Sequence, residues 1–331
     1  LDEWQQGKSV VLEAFQYYHQ HAVSVDRVRF TVGLSEQERR ERFKLDELDQ
    51  VDIHQGDLEE FQALGKKVQE TASLNVQYIC INVSKATPFA HKLVRQAMNS
   101  AIDRQALIDR TELRGEAVLA QGVFPPTLSA YNPKLEGHPY DPELARRLLA
   151  DAGFPGGPPG EYLLDIRDIK AQMDRAELVR EFCREVGIKL KLNPLSWRDL
   201  LDRAYSGDSL LSFRGWSSDN GDPDNFLYPL FHSRNWGRPG NTAFFKSPLV
   251  DQMLDKALAM RNPLERLAYY REIERMIVEE APWVFLYHSI RFSATQPWLH
   301  GYRARPMGAP RLQDCWLEPG PSAGGDDAIK I

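Results

Sequence analysis

The sequence predicts an α/β protein of two lobes, with mixed sheets flanked by helices. Three observations carry that expectation. At 331 residues the chain is longer than one hydrophobic core usually serves. Its 42% hydrophobic and 27% charged residues are those of a globular protein with a core to bury. Between residues 162 and 216, apolar strand patterns alternate with amphipathic helix patterns. The order strand, helix, strand, helix, strand requires right-handed crossovers and a partly parallel sheet.

The first eighty residues read as short strands with one or two helices. Strands fall at 9–13 and 25–34, where Val25, Val28, Phe30 and Val32 supply the β-branched and aromatic content of half-buried strands. A helix follows over 35–49, with Ser35 as N-cap and Glu38 completing a capping box. A short strand at 51–53 and a short helix at 57–64 close this part. The run Val-Gln-Tyr-Ile-Cys-Ile-Asn-Val at 76–83 is a strand. One long amphipathic helix is expected over 88–110, since Leu93, Ala97, Ala101, Ile102 and Ile108 share a stripe.

Turn-rich segments occupy 115–126 and 131–139. Asp141 and Pro142 then open a helix, Leu144, Leu148 and Leu149 give its buried side, and Gly153 stands where a left-handed C-cap is wanted. Pro-Gly-Gly-Pro-Pro-Gly at 155–160 is a linker. Strands at 162–167, 188–192 and 210–216 alternate with helices at 171–186 and 196–205. Helices at 247–260 and 262–279 precede strands at 283–287 and 291–295. Residues 319–327 are mostly Gly, Ser, Pro and Asp with nothing to bury, and the tail from 319 to 331 is expected to be disordered.

The net charge of −6 argues against a nucleic-acid partner, which calls for a basic face. The densest charge run, 36–47, mixes both signs and reads as a solvated helix surface. The most apolar stretch, 281–290, is half the length a membrane span needs. Leu1 opens on a strand pattern and is expected to lie inside a longer chain, with any secretory signal upstream. Cys80, Cys183 and Cys315 are far apart, and Cys80 between Ile79 and Ile81 is a buried free thiol. No motif for a nucleophilic hydrolase, zinc peptidase, phosphate loop or dinucleotide site occurs. The eight histidines lack metal-ligand spacing, His19 and His21 included, so no catalytic residue, metal or cofactor is assigned.

One segment stands out, Arg214-Gly215-Trp216-Ser217-Ser218-Asp219-Asn220-Gly221-Asp222-Pro223-Asp224-Asn225-Phe226. It follows a strand and precedes a helix, and in open α/β sheets ligands bind beyond the carboxyl ends of strands. A calcium loop of the EF-hand type is excluded, because Gly221 stands third in the acidic run and no Glu stands twelfth. Asp222 and Pro223 fit an N-cap and first helical position. Two readings stand for Asp219: a carboxylate offered to a ligand ammonium, or an Asx-turn bracing Asn220-Gly221. Trp216, taken alone, reads as a packed core aromatic.

Gly215-Trp216-x-x-Asp219-x-x-Asp222-Pro223-Asp224-Asn225-Phe226 resembles the most characteristic stretch of the peptide- and nickel-type (family 5) solute-binding proteins of ABC importers. Val94-Arg95-Gln96-Ala97-Met98-Asn99-x-Ala101-Ile102-Asp103-Arg104 matches the family's long-helix motif. Tyr140-Asp141-Pro142-Glu143-x-Ala145 and Glu280-Ala281-Pro282-Trp283-Val284-x-Leu286-Tyr287-His288 match later blocks. The resemblance implies the type II periplasmic-binding-protein fold, here its C-terminal portion. Residues 1–80 and 290–318 would belong to the first lobe and 81–289 to the second, closing by hinge motion over a ligand. It further implies that Asp219 holds the ligand ammonium, with Trp216, Ser217 and Ser218 beside it and Arg167 meeting the ligand carboxylate.

The function so implied is peptide capture for a membrane permease by a periplasmic or extracellular, membrane-anchored or free monomer that catalyses nothing. The alternative is a sensor domain of the same fold fused to an upstream regulator. The family's large N-terminal portion has no counterpart in this sequence, so a fragment or a variant with another upstream module is expected. The segment 238–245 departs from the family's usual pattern, which leaves the ligand's side-chain preference open. Because nickel-chelate, sugar, peptide and opine binders share the matched blocks, the ligand class is open among them.

Overall fold

The computed structural model describes residues 1–19, 23–238, 240–308, 310–318 and 328–331, so His21, Pro239 and most of the expected tail lie outside the described residues. The chain forms two compact units, Leu1–Thr71 with Ile290–Ile331, and Ala72–Ser289.

In the first unit, β1 (Glu3–Gln5), β2 (Ser9–Glu13) and β3 (Arg27–Thr31) form an antiparallel meander. Helix α1 (Glu36–Lys44) starts at the expected capping box, where Ser35 N donates to Glu38 Oε2 (2.8 Å) and Glu38 N to Ser35 Oγ (3.2 Å). It stops well short of residue 49. Asp46 adopts a left-handed conformation (φ 63°), which lets Glu47 N reach back to Arg42 O (2.9 Å) and closes the helix. Strand β4 (Gln50–Ile53), helix α2 (Leu58–Ala63) and strand β5 (Lys67–Ala72) follow. Phe43 and Phe61 stack at 5.5 Å in a core shared with Leu48, Val51, Ile53 and Phe292.

The second unit opens with β6 (Asn75–Ile81). The expected long helix over 88–110 is two helices, α3 (Lys92–Ala101) and α4 (Arg104–Asp109). Ile102 turns extended, and the Asp103 carboxylate accepts from Ala106 N (2.8 Å), so a capping aspartate interrupts the apolar stripe without breaking it. A short strand β7 (Ala117–Leu119) lies in the stretch expected to be turns. Helix α5 (Pro142–Asp151) begins at Asp141, whose side chain caps Leu144 N, and Gly153 follows it with φ 90°.

Strand β8 (Tyr162–Arg167), α6 (Lys170–Glu185), β9 (Leu190–Leu195), α7 (Trp197–Ser206) and β10 (Leu211–Ser217) come next. Strand β8 pairs parallel with both β9 and β10, while β10 runs antiparallel to β6 from Leu211↔Ile81 to Ser217↔Asn75. The sheet is mixed, as the alternation of elements predicts. Its core layer includes Ile79, Ile81, Leu164, Ile166, Leu211 and Phe213, packed against α3, α5 and α6.

Helices α8 (Asp224–Phe231), α9 (Pro248–Ala259) and α10 (Pro263–Glu280) lead to β11 (Trp283–Thr295). Residues 283–287 and 291–295, expected as two strands, are one strand of 13 residues. It carries a bulge, since Phe285 pairs with Tyr78 and Tyr287 with the adjacent Gln77. Beyond Ser289 it continues in the first unit and pairs with β4 from Phe292↔Ile53 to Thr295↔Gln50. That unit closes with β12 (Leu299–His300), β13 (Trp316–Leu317) and β14 (Ala328–Lys330). The last corrects the expectation of a disordered tail up to 331. Ala328 and Ile329 are buried, and β14 adds to β3 in parallel, so a short apolar segment after the Gly-rich run does find a core.

All three cysteines are buried and free, and burial pushes the Cys80 thiol up to about 11. Glu274 on α10 is nearly inaccessible, accepts from Phe124 N (2.7 Å), and is pushed up to about 8 by burial. A carboxyl whose folded-state pKa lies above its unfolded value stabilises fully below the unfolded value and loses that contribution as pH rises through the folded one. Stability should therefore fall with a slope of up to about 1.4 kcal/mol per pH unit between about pH 5 and 8 from this group. Glu274→Gln, which keeps an acceptor for Phe124 N, should flatten that slope in thermal unfolding, and an unchanged slope would contradict the assignment.

Candidate functional site

Alternation along β10 assigns its side chains to two faces. Leu211 and Phe213 enter the core layer, which leaves Ser212, Arg214 and Trp216 on the opposite face. Strand β8 follows the same rule. Leu164 and Ile166 are core, and Asp165 and Arg167 lie on the face of Ser212, with which Asp165 is paired in register. Because β8 and β10 are parallel, Arg167 and the segment after Ser217 stand at the same, carboxyl-terminal edge of the sheet.

The turn after β10 is held by a chain of local bonds. Ser218 N donates to Leu74 O (2.9 Å), and Ser218 Oγ, buried, accepts from Gly221 N (2.8 Å) and Asn220 N (3.4 Å). Asn220 Oδ1 accepts from Asp222 N (2.9 Å), and Asn225 Oδ1 accepts from Asp219 N (3.1 Å). Trp216 Nε1 donates to Asn225 O (2.9 Å). Gly221 supplies the positive φ of 73° that the turn requires. Asp222 caps the entry to α8 by accepting from Asp224 N (2.8 Å), and both its oxygens are gripped by Arg266 (2.8 Å each). That guanidinium holds the Asp222 carboxyl below the usual carboxylate range. Asp224 beside it is shifted up, chiefly by burial.

Each expected site residue can now be placed. Asp219 is exposed, and among the described residues no hydrogen bond or ion pair engages its carboxylate. The Asx-turn alternative does not apply to it, because Ser218 and Asn220 brace the turn instead. Ser217 is exposed at the end of β10, whereas the Ser218 hydroxyl oxygen is engaged inside the turn by Asn220 N and Gly221 N. Trp216 is half-buried at the sheet edge rather than a core aromatic, because its indole N–H is needed to tie the turn to Asn225. Arg167 is exposed, with its guanidinium 5.1 Å from the ring centre of Trp197.

The same face holds a second carboxylate, Asp165, which is fully committed. It accepts from Asn193 Nδ2 (2.6 Å), Arg203 Nε (3.0 Å) and Ser209 Oγ (2.6 Å). One side chain there carries no role in the sequence reading, Arg214. Its signal in the sequence is a lone cation at an alternating position of the apolar strand Leu-Leu-Ser-Phe-Arg-Gly-Trp, residues 210–216. Among the described residues, no three His, Cys, Asp or Glu side chains gather as a metal site would require.

The comparisons with known proteins agree with this architecture. The family described as bacterial extracellular solute-binding proteins, family 5 (middle part), matches residues 1–238. Heme-binding protein A of Haemophilus influenzae is 38% identical over 247 residues, 73% of this chain and 45% of that protein. A probable di/tripeptide-binding protein of Pseudomonas aeruginosa is 32% identical over 247 residues, 73% of this chain and 46% of that protein. The chain thus spans about half the length of the curated relatives it matches. Among solved structures, a periplasmic binding protein of Helicobacter pylori in complex with the peptide STSA superposes with a TM-score of 0.81 at 26% identity, covering 96% of this chain and 62% of that one. HbpA2 of Haemophilus parasuis gives the same TM-score and identity, covering 96% and 63%. These neighbours share the type II periplasmic-binding-protein fold.

The anchoring of the turn is testable apart from any ligand. Asp222→Ala should cost about 1–2 kcal/mol in urea unfolding, from the lost cap and a partly exposed ion pair. Asp219→Ala should change stability by no more than about 0.5 kcal/mol, as for an exposed side chain without a partner. Equal losses would mean that Asp219 is part of the turn's framework. The turn geometry, the mixed sheet and the extent of the match lead to one statement: the chain belongs to the bacterial extracellular solute-binding proteins of family 5.

Proposed function

We propose that the protein captures short peptides as the ligand-binding component of an ABC importer, with Asp219 receiving the peptide ammonium. The observation that carries this reading is the Asp219 carboxylate, which among the described residues has no hydrogen-bond or ion-pair partner and stands on a turn that other residues hold in place. Relatives named for di- and tripeptides support the peptide class, as do solved neighbours in complex with peptides. The protein acts as a monomer in the periplasm or outside the cell, free or membrane-anchored, and hands its ligand to the permease subunits of the importer. No reaction is involved.

Physical chemistry makes the arrangement selective. A carboxylate closed in by a ligand is stabilised only if a positive group accompanies it, so a free amino terminus is favoured over a neutral one. The peptide backbone can be satisfied by strand-like hydrogen bonds, and hydrated side-chain sites tolerate varied sequences. Any closing motion is driven only by the ligand's greater affinity for the closed form. Trp216, Ser217 and Ser218 precede Asp219 at the end of β10 and are the candidates to flank the ligand there, and Arg167 at the same sheet edge is the candidate for a ligand carboxylate.

Calorimetric titration of a dipeptide and its N-acetylated form tests the reading. A charge-assisted bond to the ammonium predicts a loss of about 10- to 100-fold on acetylation, and a similar loss for the free dipeptide with Asp219→Ala. Equal binding of the two forms would remove Asp219 from its role. Hemin belongs in the same titration because of the heme-binding relative, and binding of hemin in place of every peptide would overturn the peptide class.

A further inference from the structure

We propose that Arg214 is a receptor for a carboxylate on the ligand and makes the protein prefer acidic peptides. This rests on the peptide reading above for its ligand class, but its evidence is independent of Asp219. Arg214 is 7% exposed, and its Nε and Nη1 donors are buried without an acceptor among the described residues. Among the described residues no carboxylate pairs with it. Its neighbours across the register are Tyr78, which stacks on Trp283 at 3.4 Å, and further along β6 the Cys80 thiol, which faces Thr242 Oγ1 at 3.4 Å.

The nearest polarisable group is the Tyr205 ring, 5.5 Å from the guanidinium. Arg238 lies at the same distance from that ring, so two guanidinium groups share one aromatic side chain. Among the described residues Arg238 forms no ion pair either. A buried, unneutralised cation with idle donors is costly, and a second cation nearby adds to that cost. The Asp165 cluster on the same face shows the opposite solution, a carboxylate with every bond provided by the protein. What Arg214 lacks, an incoming carboxylate supplies: two oxygens for donors that have none, with partial neutralisation of Arg238 as well.

The position suits a ligand already held at Asp219. Arg214 and Trp216 lie on one face of β10, about 7 Å apart along the strand at two residues' rise, and Asp219 follows three residues later. Arg238 is exposed and Tyr205 half-exposed, so an anion can approach over them to a charge lying just below the surface. An acidic side chain of a di- or tripeptide spans such a gap, while the peptide's terminal carboxylate is left to Arg167.

The test compares Ala-Glu with its neutral isostere Ala-Gln by calorimetry on the wild type, Arg214→Gln and Arg214→Met. The wild type should bind Ala-Glu at least about tenfold more tightly, as a charge-assisted bond predicts, and both variants should bind the two peptides alike. Arg214→Met should also raise the melting temperature of the free protein, since it removes an uncompensated charge. A merely structural arginine would lower it. Should neither variant fold, Arg238→Gln, on the surface, should reduce the preference for Ala-Glu several-fold. If no peptide binds, the peptide reading fails and sodium glutarate decides the present one. Stabilisation of the wild type but not of Arg214→Gln by glutarate, against sodium chloride at equal ionic strength, would uphold an anion receptor. Equal affinity of the wild type for Ala-Glu and Ala-Gln, a preference that survives in Arg214→Gln, or the same glutarate response in both proteins would overturn it.

Discussion

The antiparallel pairing of β6 with β10 over seven residues is the constraint on which the site depends. Its register, Leu211 against Ile81 through Ser217 against Asn75, decides which side chains of β10 go to the core and which to the other face. A slip of one residue would place Arg214 and Trp216 among Ile79, Ile81 and Leu164, and Phe213 on the face that now carries polar groups. The strand's end is also set by this pairing. With Ser217 opposite Asn75, Ser218 N reaches Leu74 O and the chain turns there, so the position of Asp219 is inherited from the sheet.

Much of the fold was legible because several signals coincided. The Ser35–Glu38 capping box, Asp141 with Pro142, and Ser247 with Pro248 each start a helix where the residue types require it. Alternating strands and helices between β8 and β10 correctly implied parallel pairing. The errors came where local polar chemistry overrode periodicity. Asp103 lies within the run whose apolar stripe predicts a single helix, yet its carboxylate caps Ala106 N, and one expected helix became two. Asp46 ended α1 early in a left-handed turn for which no glycine gave warning. In β11, residues 288–290 fall between the two expected strands, yet His288 is buried with Nδ1 bonded to Asn75 O at 2.7 Å, and the strand runs on.

The candidate site was legible to a different degree at each residue. Asp219 stood out because capping explained Asp222 and left Asp219 without a local task, and the turn geometry agrees with that division. The partner of Asp222 was not legible, because Arg266 is 44 residues away and only folding brings the two together. Taken alone, Trp216 reads as a core aromatic and is not one, for a related reason: whether an indole serves a core or ties a turn depends on what stands opposite its N–H, here a carbonyl nine residues on. Arg214 escaped notice because a single cation in a strand carries no spacing rule. Its significance lies in the acceptors it lacks, which no sequence pattern records.

The bulge in β11 has a consequence for how this protein can change. By letting Phe285 and Tyr287 oppose the neighbouring residues Tyr78 and Gln77, it allows Leu286 and Tyr287, successive in sequence, both to join the core layer. The strand is thereby locked against sliding, since shifting it would require the irregularity to migrate along its partner. Deleting one residue there would restore a regular ladder and still turn over every side chain between the deletion and the strand's end. Length variation among natural or engineered versions of this chain should accordingly collect in the turns that flank β11, and the strand itself should tolerate exchange of residues far better than any change in their number.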